Sequence, residues 1–101
     1  MPDENTLPEL TSLEQEIYSW QTTIDAFGQM GQRRLRAARV MVSRIGGLGG
    51  LVAYELAAAG IGRLILAHAG NLRLSDLNRQ LLMTQSALDT PRIDCAAQRL
   101  Q

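Results

Sequence analysis

A glycine cluster between an apolar segment and an alanine-rich segment constrains the fold of this chain more than any other sequence feature. Residues 39–43 contain two valines and a methionine, residues 46–50 contain four glycines, and residues 51–59 are rich in alanine and leucine. This order predicts a strand, a tight turn and a helix. Chains use that arrangement to place the backbone N–H groups of a helix N-terminus against a phosphate.

A second apolar segment follows the predicted helix. Gly60 suits the left-handed cap of a helix C-terminus, and residues 64–67, Leu-Ile-Leu-Ala, are expected to form another strand. A strand, a helix and a strand in this order form a βαβ unit with parallel strands and a right-handed connection. The sequence therefore predicts an α/β fold.

The N-terminal part of the chain has a helical pattern. Residues 1–7 are polar and are expected to form a disordered tail. Over residues 8–24, apolar side chains recur at spacings of three and four, which predicts one amphipathic helix with a face that needs a partner surface. These side chains are Leu10, Leu13, Ile17, Trp20 and Ile24. A short basic helix over residues 29–38 completes the predicted helical lead-in, residues 8–38.

The C-terminal third carries turn and cap residues. Gly70 predicts a turn, Ser75 is expected to cap a short helix over residues 76–82, and Pro91 is expected to begin a terminal helix. One face of that last helix would carry Ile93, Ala96, Ala97 and Leu100. Residues 39–101 are thus expected to form one partial nucleotide-binding unit.

Composition excludes several kinds of partner and chemistry. Ten acidic residues balance ten basic ones, all arginine, so there is no bulk attraction to nucleic acid or to an anionic membrane. The single Cys95 forms neither an internal disulfide nor a structural zinc site, and we expect it to pack in the core. No signal peptide or long apolar segment is present, which predicts a cytoplasmic protein. With 101 residues, a fragment or reduced form of a larger domain is expected.

The glycine cluster partly fits the dinucleotide template Gly-x-Gly-x-x-Gly. Gly46 and Gly49 match, whereas Arg44 stands at the first glycine position. A side chain there is expected to strain the tight turn, which glycine adopts freely. The end of the second strand has His68 in place of the acid that would hold ribose hydroxyls. Two interpretations stay open: a phosphate-binding turn, or a glycine-rich turn kept for packing.

Several short motifs together resemble the N-terminal part of the ThiF, MoeB and HesA superfamily of adenylyltransferases. The motifs are Tyr18-Ser19-x-Gln21, Phe27-Gly28-x-x-Gly31-Gln32, Ala38-Arg39-Val40, Gly46-Gly47-Leu48-Gly49, Leu56-Ala57-Ala58-Ala59-Gly60, Leu74-Ser75-x-Leu77-x-Arg79-Gln80 and Pro91-x-Ile93. They stand in the order and near the spacing of that superfamily and cover over four-fifths of the chain.

The resemblance implies a Rossmann-like βαβ portion of a parallel sheet, preceded by the helical lead-in. It also implies binding of ATP and magnesium and adenylylation of the C-terminal tail of a ubiquitin-like or sulfur-carrier protein, usually by a homodimer. Carried over by position, Gly46, Gly47 and Gly49 would line the phosphates, and Arg79 and Gln80 would lie at the nucleotide.

Departures from the superfamily pattern fall mostly on positions that carry chemistry. They are Trp20 for arginine, Arg44 for glycine, His68 and Gly70 for acids, Asp76 for asparagine and Arg92 for lysine. The metal is left without an evident ligand, so no metal-binding residue is predicted, and no catalytic residue is assigned.

Three hypotheses for function follow. The first is an ATP-site fragment of the adenylylating system that is inactive alone and associates with itself or with a completing chain. The second is a non-catalytic dimerisation or docking module. The third is a fragment of a dinucleotide-binding oxidoreductase, which would be expected to carry an acid at the position of His68.

Overall fold

The computed structural model describes residues 6–101, which form five helices, two strands and two short 3₁₀ turns. In chain order the helices and strands are α1 Ser12–Ile17, α2 Ser19–Thr22, α3 Gly28–Ala37, β1 Arg39–Ser43, α4 Gly47–Ala59, β2 Arg63–Ala67 and α5 Arg92–Leu100. The 3₁₀ turns span Leu74–Asn78 and Gln85–Ala87.

The centre of the fold is the βαβ unit β1, α4 and β2. The two strands are parallel, with Val40 opposite Leu64 and Val42 opposite Leu66, so the predicted βαβ unit is confirmed. The buried core combines Val42 with side chains from the turn between β1 and α4, from α4, from α5 and from the segment between β2 and α5. Its other buried members are Ile45, Ala53, Leu72, Leu82, Met83, Cys95 and Ala96. The packing role predicted for Cys95 is therefore observed.

Helix α4 ends at Gly60, as predicted, in the left-handed conformation with φ of 101°. The last carbonyl groups of a helix have no partner within it and need other donors. Two side-chain amides supply them at Ala59, whose oxygen accepts from Gln21 Nε2 at 2.8 Å and from Gln32 Nε2 at 2.9 Å. These contacts attach α2 and α3 to the end of α4.

The prediction of a single helix over residues 8–24 is wrong, because two short helices, α1 and α2, occupy this segment. Helix α1 ends at Ile17, and Tyr18 adopts φ of −99° and ψ of 16° before α2 begins. The Tyr18 ring packs so closely on Gly60 that a Cβ there would lie 2.9 Å from it. This contact and the bond from Gln21 to Ala59 require a break that periodicity does not reveal.

The burial pattern of the lead-in also differs from the prediction. Leu10 is buried, whereas Leu13, Ile17, Trp20 and Ile24 are 57–89% exposed. Residues 1–5 of the expected tail lie outside the described residues, but Leu7 is buried and its carbonyl accepts from Arg33 Nη2 at 2.8 Å. The division at residues 8–38 and 39–101 stays a prediction.

The prediction of a short helix over residues 76–82 is also wrong. A 3₁₀ turn, Leu74–Asn78, takes its place, and Ser75 does not cap it. Instead, the Asp76 carboxylate accepts the backbone N–H of Arg73 at 2.9 Å, so the N-terminal cap is Arg73, two residues before Ser75. The terminal helix is confirmed as α5, with Pro91 at its N-terminal cap. None of the helices formed by residues 6–101 combines the length and apolar character needed to cross a membrane.

Candidate functional site

The turn between β1 and α4 has a tightly constrained backbone. Arg44 adopts φ of 66°, a left-handed conformation that favours glycine, and its N–H donates to the Ala67 carbonyl at 2.5 Å. A Cβ on Gly49 would lie 1.9 Å from the Arg44 carbonyl oxygen, so only glycine fits there. The turn thus tolerates a side chain at Arg44 at the cost of strain and excludes one at Gly49.

An open cleft of about 1010 Å³ lies along this turn and along β1. Its polar and glycine lining comes from the turn, the end of β2 and the segments that follow. These residues are Ser43, Arg44, Gly46, Gly47, Gly49, His68, Asp76, Arg79, Gln80 and Arg92. The first N–H groups of α4 have no acceptor within the helix, so this part of the cleft suits an anionic ligand.

Arg79 and Gln80 pack directly against the glycine turn. A Cβ on Gly47 would lie 3.6 Å from Arg79 Cγ, and one on Gly46 would lie 3.6 Å from Gln80 Nε2. Arg79 is exposed, and its Nη1 donates to Ser75 O at 3.1 Å and to Asn78 Oδ1 at 3.0 Å. The turn of residues 74–78 therefore orients its guanidinium.

Gln80 is buried, with an exposed fraction of 5%. Its Oε1 is buried and accepts no hydrogen bond from residues 6–101. A buried acceptor without a donor costs free energy in the unliganded protein, about 1–3 kcal/mol in mutational series. A ligand hydroxyl or amino group would supply the missing donor.

His68 borders the same point of the turn from the end of β2. Its Cε1 would lie 3.6 Å from a Cβ on Gly46, and its buried Nδ1 has no partner within the described part of the chain. Burial lowers the pKa of His68 below its usual 6.5, and the positive charges of Arg92 and Arg44 lower it further, whereas Asp76 opposes them. The imidazole is thus neutral at pH 7.

Asp76 is held by three N–H groups. Its Oδ2 accepts from Arg92 Nε at 3.0 Å, from Arg92 Nη2 at 2.9 Å and from the Arg73 backbone N–H at 2.9 Å. The backbone bond from Arg73 is the largest cause that lowers the Asp76 pKa, and the bonds from Arg92 add to it. The negative charge that the sequence places near the phosphate path is therefore neutralised within the protein.

Magnesium does not fit this set of side chains. The ion binds carboxylate and water oxygens, usually one or two carboxylates with substrate phosphates. Of the residues that the structure describes, Asp76 is the single acidic one in the cleft lining, and Arg92 lies against its carboxylate. Among residues 6–101, no three His, Cys, Asp or Glu side chains come together as a metal-binding group.

The structure brings the predicted site residues together. Gly46, Gly47, Gly49, Arg79 and Gln80 all line the one cleft, although their binding role stays a prediction. Trp20 and Gly70, at two departing positions, are not in the lining.

Sequence reasoning missed the apolar wall of the cleft. Val40 and Val42 of β1 and Val52 and Leu56 of α4 line this wall. The four-residue spacing of Val52 and Leu56 was a usable signal, because such residues share one helix face. The bond between Asp76 and Arg92 gave no such signal, since the two residues are far apart in the chain.

Comparison with known proteins gives a consistent result. A family model described as the ThiF family matches residues 18–101. Protein HesA, vegetative, from Trichormus variabilis is 50% identical over 92 residues, which are 91% of this chain and 35% of that protein. The sulfur carrier protein ThiS adenylyltransferase of Escherichia coli (strain K12) is 40% identical over 82% of this chain and 33% of its own length. The chain thus spans about a third of these curated relatives.

Solved structures agree on the fold. The crystal structure of PaaA matches with a TM-score of 0.83 and 30% identity, over 99% of this chain and 33% of that one. The ATP complex of E. coli tRNA N6-threonylcarbamoyladenosine dehydratase, TcdA, matches with a TM-score of 0.80, over 89% of this chain and 36% of that one. Its identity of 21% supports the fold alone. The predicted Rossmann-like α/β fold is confirmed.

Proposed function

The chain belongs to the ThiF family, and we propose that it binds ATP as the nucleotide-binding part of an adenylyltransferase for a ubiquitin-like or sulfur-carrier protein. The observation that carries this proposal is the contact of Arg79 and Gln80 with Gly46 and Gly47 in one cleft. Membership of a family that includes a ThiS adenylyltransferase supports the reaction class.

Each group of the cleft has a task in this proposal. The first N–H groups of α4 and the Arg79 guanidinium bind phosphate oxygens, because both are donors that carry positive charge. Gln80 Oε1 accepts a hydrogen bond from a hydroxyl or amino group of the nucleotide. These contacts hold the α-phosphate for attack by the carrier's carboxylate, which would release pyrophosphate and form an acyl adenylate.

We also propose that the 101-residue chain does not complete adenylylation by itself. Stabilising the charge that develops on the transferred group needs positioned cations or donors around it. The cleft is open, and within the described residues the acidic side chain of its lining, Asp76, is paired with Arg92, so no carboxylate there is free to hold a metal ion at the phosphates. Pyrophosphate exchange by the purified chain with a sulfur-carrier protein would contradict this part of the proposal.

Isothermal titration of ATP with magnesium into the purified chain tests nucleotide binding. We expect binding that Arg79→Ala weakens about tenfold, which corresponds to the loss of one charge-assisted hydrogen bond. Arg63→Ala is the matched control, because Arg63 is an exposed arginine at the opposite end of β2. No heat at millimolar ATP either with magnesium or in EDTA, or equal weakening by both variants, would contradict the proposal.

A second function, self-association, is favoured by one observation. The side chains of Leu13, Ile17, Trp20 and Ile24 are 57–89% exposed, and large apolar patches often mark interfaces. Sedimentation velocity over a range of concentrations should show a dimer that Trp20→Ser dissociates. Leu74→Ser, at a leucine 62% exposed on the turn after β2, should leave the dimer intact. A monomer at every concentration would contradict self-association.

A further inference from the structure

The positive charge in the cleft exceeds what the protein itself neutralises. Arg92 and Asp76 form an ion pair with 2.9 Å between Nη2 and Oδ2. Arg44 and Arg79 also line the cleft, and within residues 6–101 neither of them forms an ion pair with a carboxylate. Two guanidinium groups are thus available to an anion at the start of α4.

The backbone of Arg44 is held from both sides. Its N–H donates to Ala67 O at 2.5 Å, and Gly49 lies against its carbonyl, where a Cβ would approach to 1.9 Å. These contacts maintain the φ of 66°, so the Cα–Cβ direction of Arg44 is set by the turn. Its charge reaches the cleft, because Arg44 contributes to the lowered pKa of His68.

The buried acceptor of Gln80 indicates what kind of anion fits. Gln80 Oε1 needs a donor, and Gln80 Nε2 and His68 Cε1 both lie 3.6 Å from the Cβ position of Gly46. Inorganic phosphate carries its hydroxyl donors on the anionic group itself, whereas a nucleotide carries ribose hydroxyls and a base apart from its phosphates. The chemistry of the cleft therefore matches a nucleotide polyphosphate.

We propose that this chain binds the polyphosphate of ATP as a metal-free anion, with Arg44 and Arg79 supplying the positive charge that magnesium would otherwise supply. The inference rests on the proposed function and adds to it the ionic form of the ligand. It follows from the donor set, because in the described part of the chain the acidic residue of the cleft lining is paired with Arg92, while two other guanidinium groups form no ion pair. A bound divalent cation would compete with both for the phosphate oxygens.

Isothermal titration of ATP in EDTA and in excess magnesium tests this inference directly. We expect ATP to bind more tightly in EDTA, because the free polyphosphate carries more negative charge than its magnesium complex. Arg44→Ala should weaken binding in EDTA about tenfold, as expected for one charge-assisted hydrogen bond. Arg44→Lys should weaken it less, because it keeps the charge.

Two further variants separate charge from folding. Arg44→Gly removes the guanidinium but relieves the left-handed backbone, so it should keep the fold and still lose binding. Arg63→Ala removes an exposed arginine outside the cleft and should bind ATP as the wild type does. Circular dichroism of each variant identifies any loss of structure.

The outcomes distinguish this inference from the proposed function. Tighter binding in EDTA together with weakening by Arg44→Gly supports the inference. If ATP binds only with magnesium, or if Arg44→Gly binds like the wild type, the inference is overturned while ATP binding itself stands. If the wild type binds ATP under neither condition, the proposed function is contradicted and the inference with it.

Discussion

Arg92 donates two hydrogen bonds, of 3.0 and 2.9 Å, to the same carboxylate oxygen of Asp76. A third guanidinium donor, Arg92 Nη1, bonds to the Ala69 carbonyl at 2.9 Å. One side chain of α5 therefore joins the end of β2 to the turn that carries Arg79. The orientation of the Arg79 guanidinium in the cleft depends on this link, because Arg79 Nη1 donates to Ser75 O of the same turn.

Asp76→Asn should lower the thermal stability at pH 7, because Arg92 loses its charged partner. The folded-state pKa of Asp76 lies below its ordinary value of 3.8, so its contribution to stability is complete above pH 3.8 and disappears as the pH falls through the folded-state pKa. The difference in Tm between variant and wild type should therefore shrink at strongly acidic pH. Asp94→Asn, at an exposed carboxylate of α5, is the control.

Thermal unfolding followed by circular dichroism from pH 7 to strongly acidic pH measures both variants. A Tm difference for Asp76→Asn that stays constant across this range would contradict the assigned role of the charge.

Gln32→Ala should destabilise the fold by about 2 kcal/mol, because it removes a buried hydrogen-bonding side chain. Gln32 is fully buried, donates to Ala59 O at 2.9 Å and accepts from the Gln21 amide. Gln29→Ala on the same helix is exposed and should change the stability by less than about 0.5 kcal/mol. Urea unfolding of both variants gives the comparison, and equal effects would contradict the capping role.

Gly49→Ala should destabilise the protein by about 2 kcal/mol, because the new Cβ would overlap the Arg44 carbonyl and the turn must move. Gly47→Ala is a control within the same turn, since its Cβ would meet Arg79 Cγ at an ordinary 3.6 Å. Gly47→Ala should therefore fold like the wild type. Urea unfolding measures both, and a stable Gly49→Ala variant would show that the turn relaxes freely.

Gln80→Leu should stabilise the unliganded protein by about 1 kcal/mol and weaken ATP binding. The substitution removes the buried Oε1 that has no donor within the described residues, and with it the proposed acceptor for the nucleotide. Gln85→Leu, at an exposed glutamine of the next 3₁₀ turn, should do neither. Differential scanning calorimetry and titration with ATP measure the two effects. Lower stability with unchanged binding would assign Gln80 a structural role.

Local sequence signals predicted the βαβ unit well. Apolar strands, a glycine turn and a Gly60 cap each act within a few residues, so their spacing in the chain determines the structure. The same reasoning fails over residues 8–24, where Tyr18 breaks the predicted helix to reach Gly60. A contact across 42 positions outweighs local periodicity there, because the Ala59 carbonyl at the C-terminus of α4 accepts its hydrogen bonds from the side chains of distant residues.

By itself, the sequence determined the family, the parallel βαβ unit and the residues that surround the glycine turn. These follow from short-range spacing and from motifs that the chain retains. Only the tertiary structure decided the electrostatics of the cleft. Asp76 and Arg92 are 16 positions apart, and their pairing leaves Arg44 and Arg79 as the available cations. The sequence determines the charged residues, but which of them form ion pairs depends on which side chains come together when the whole chain packs.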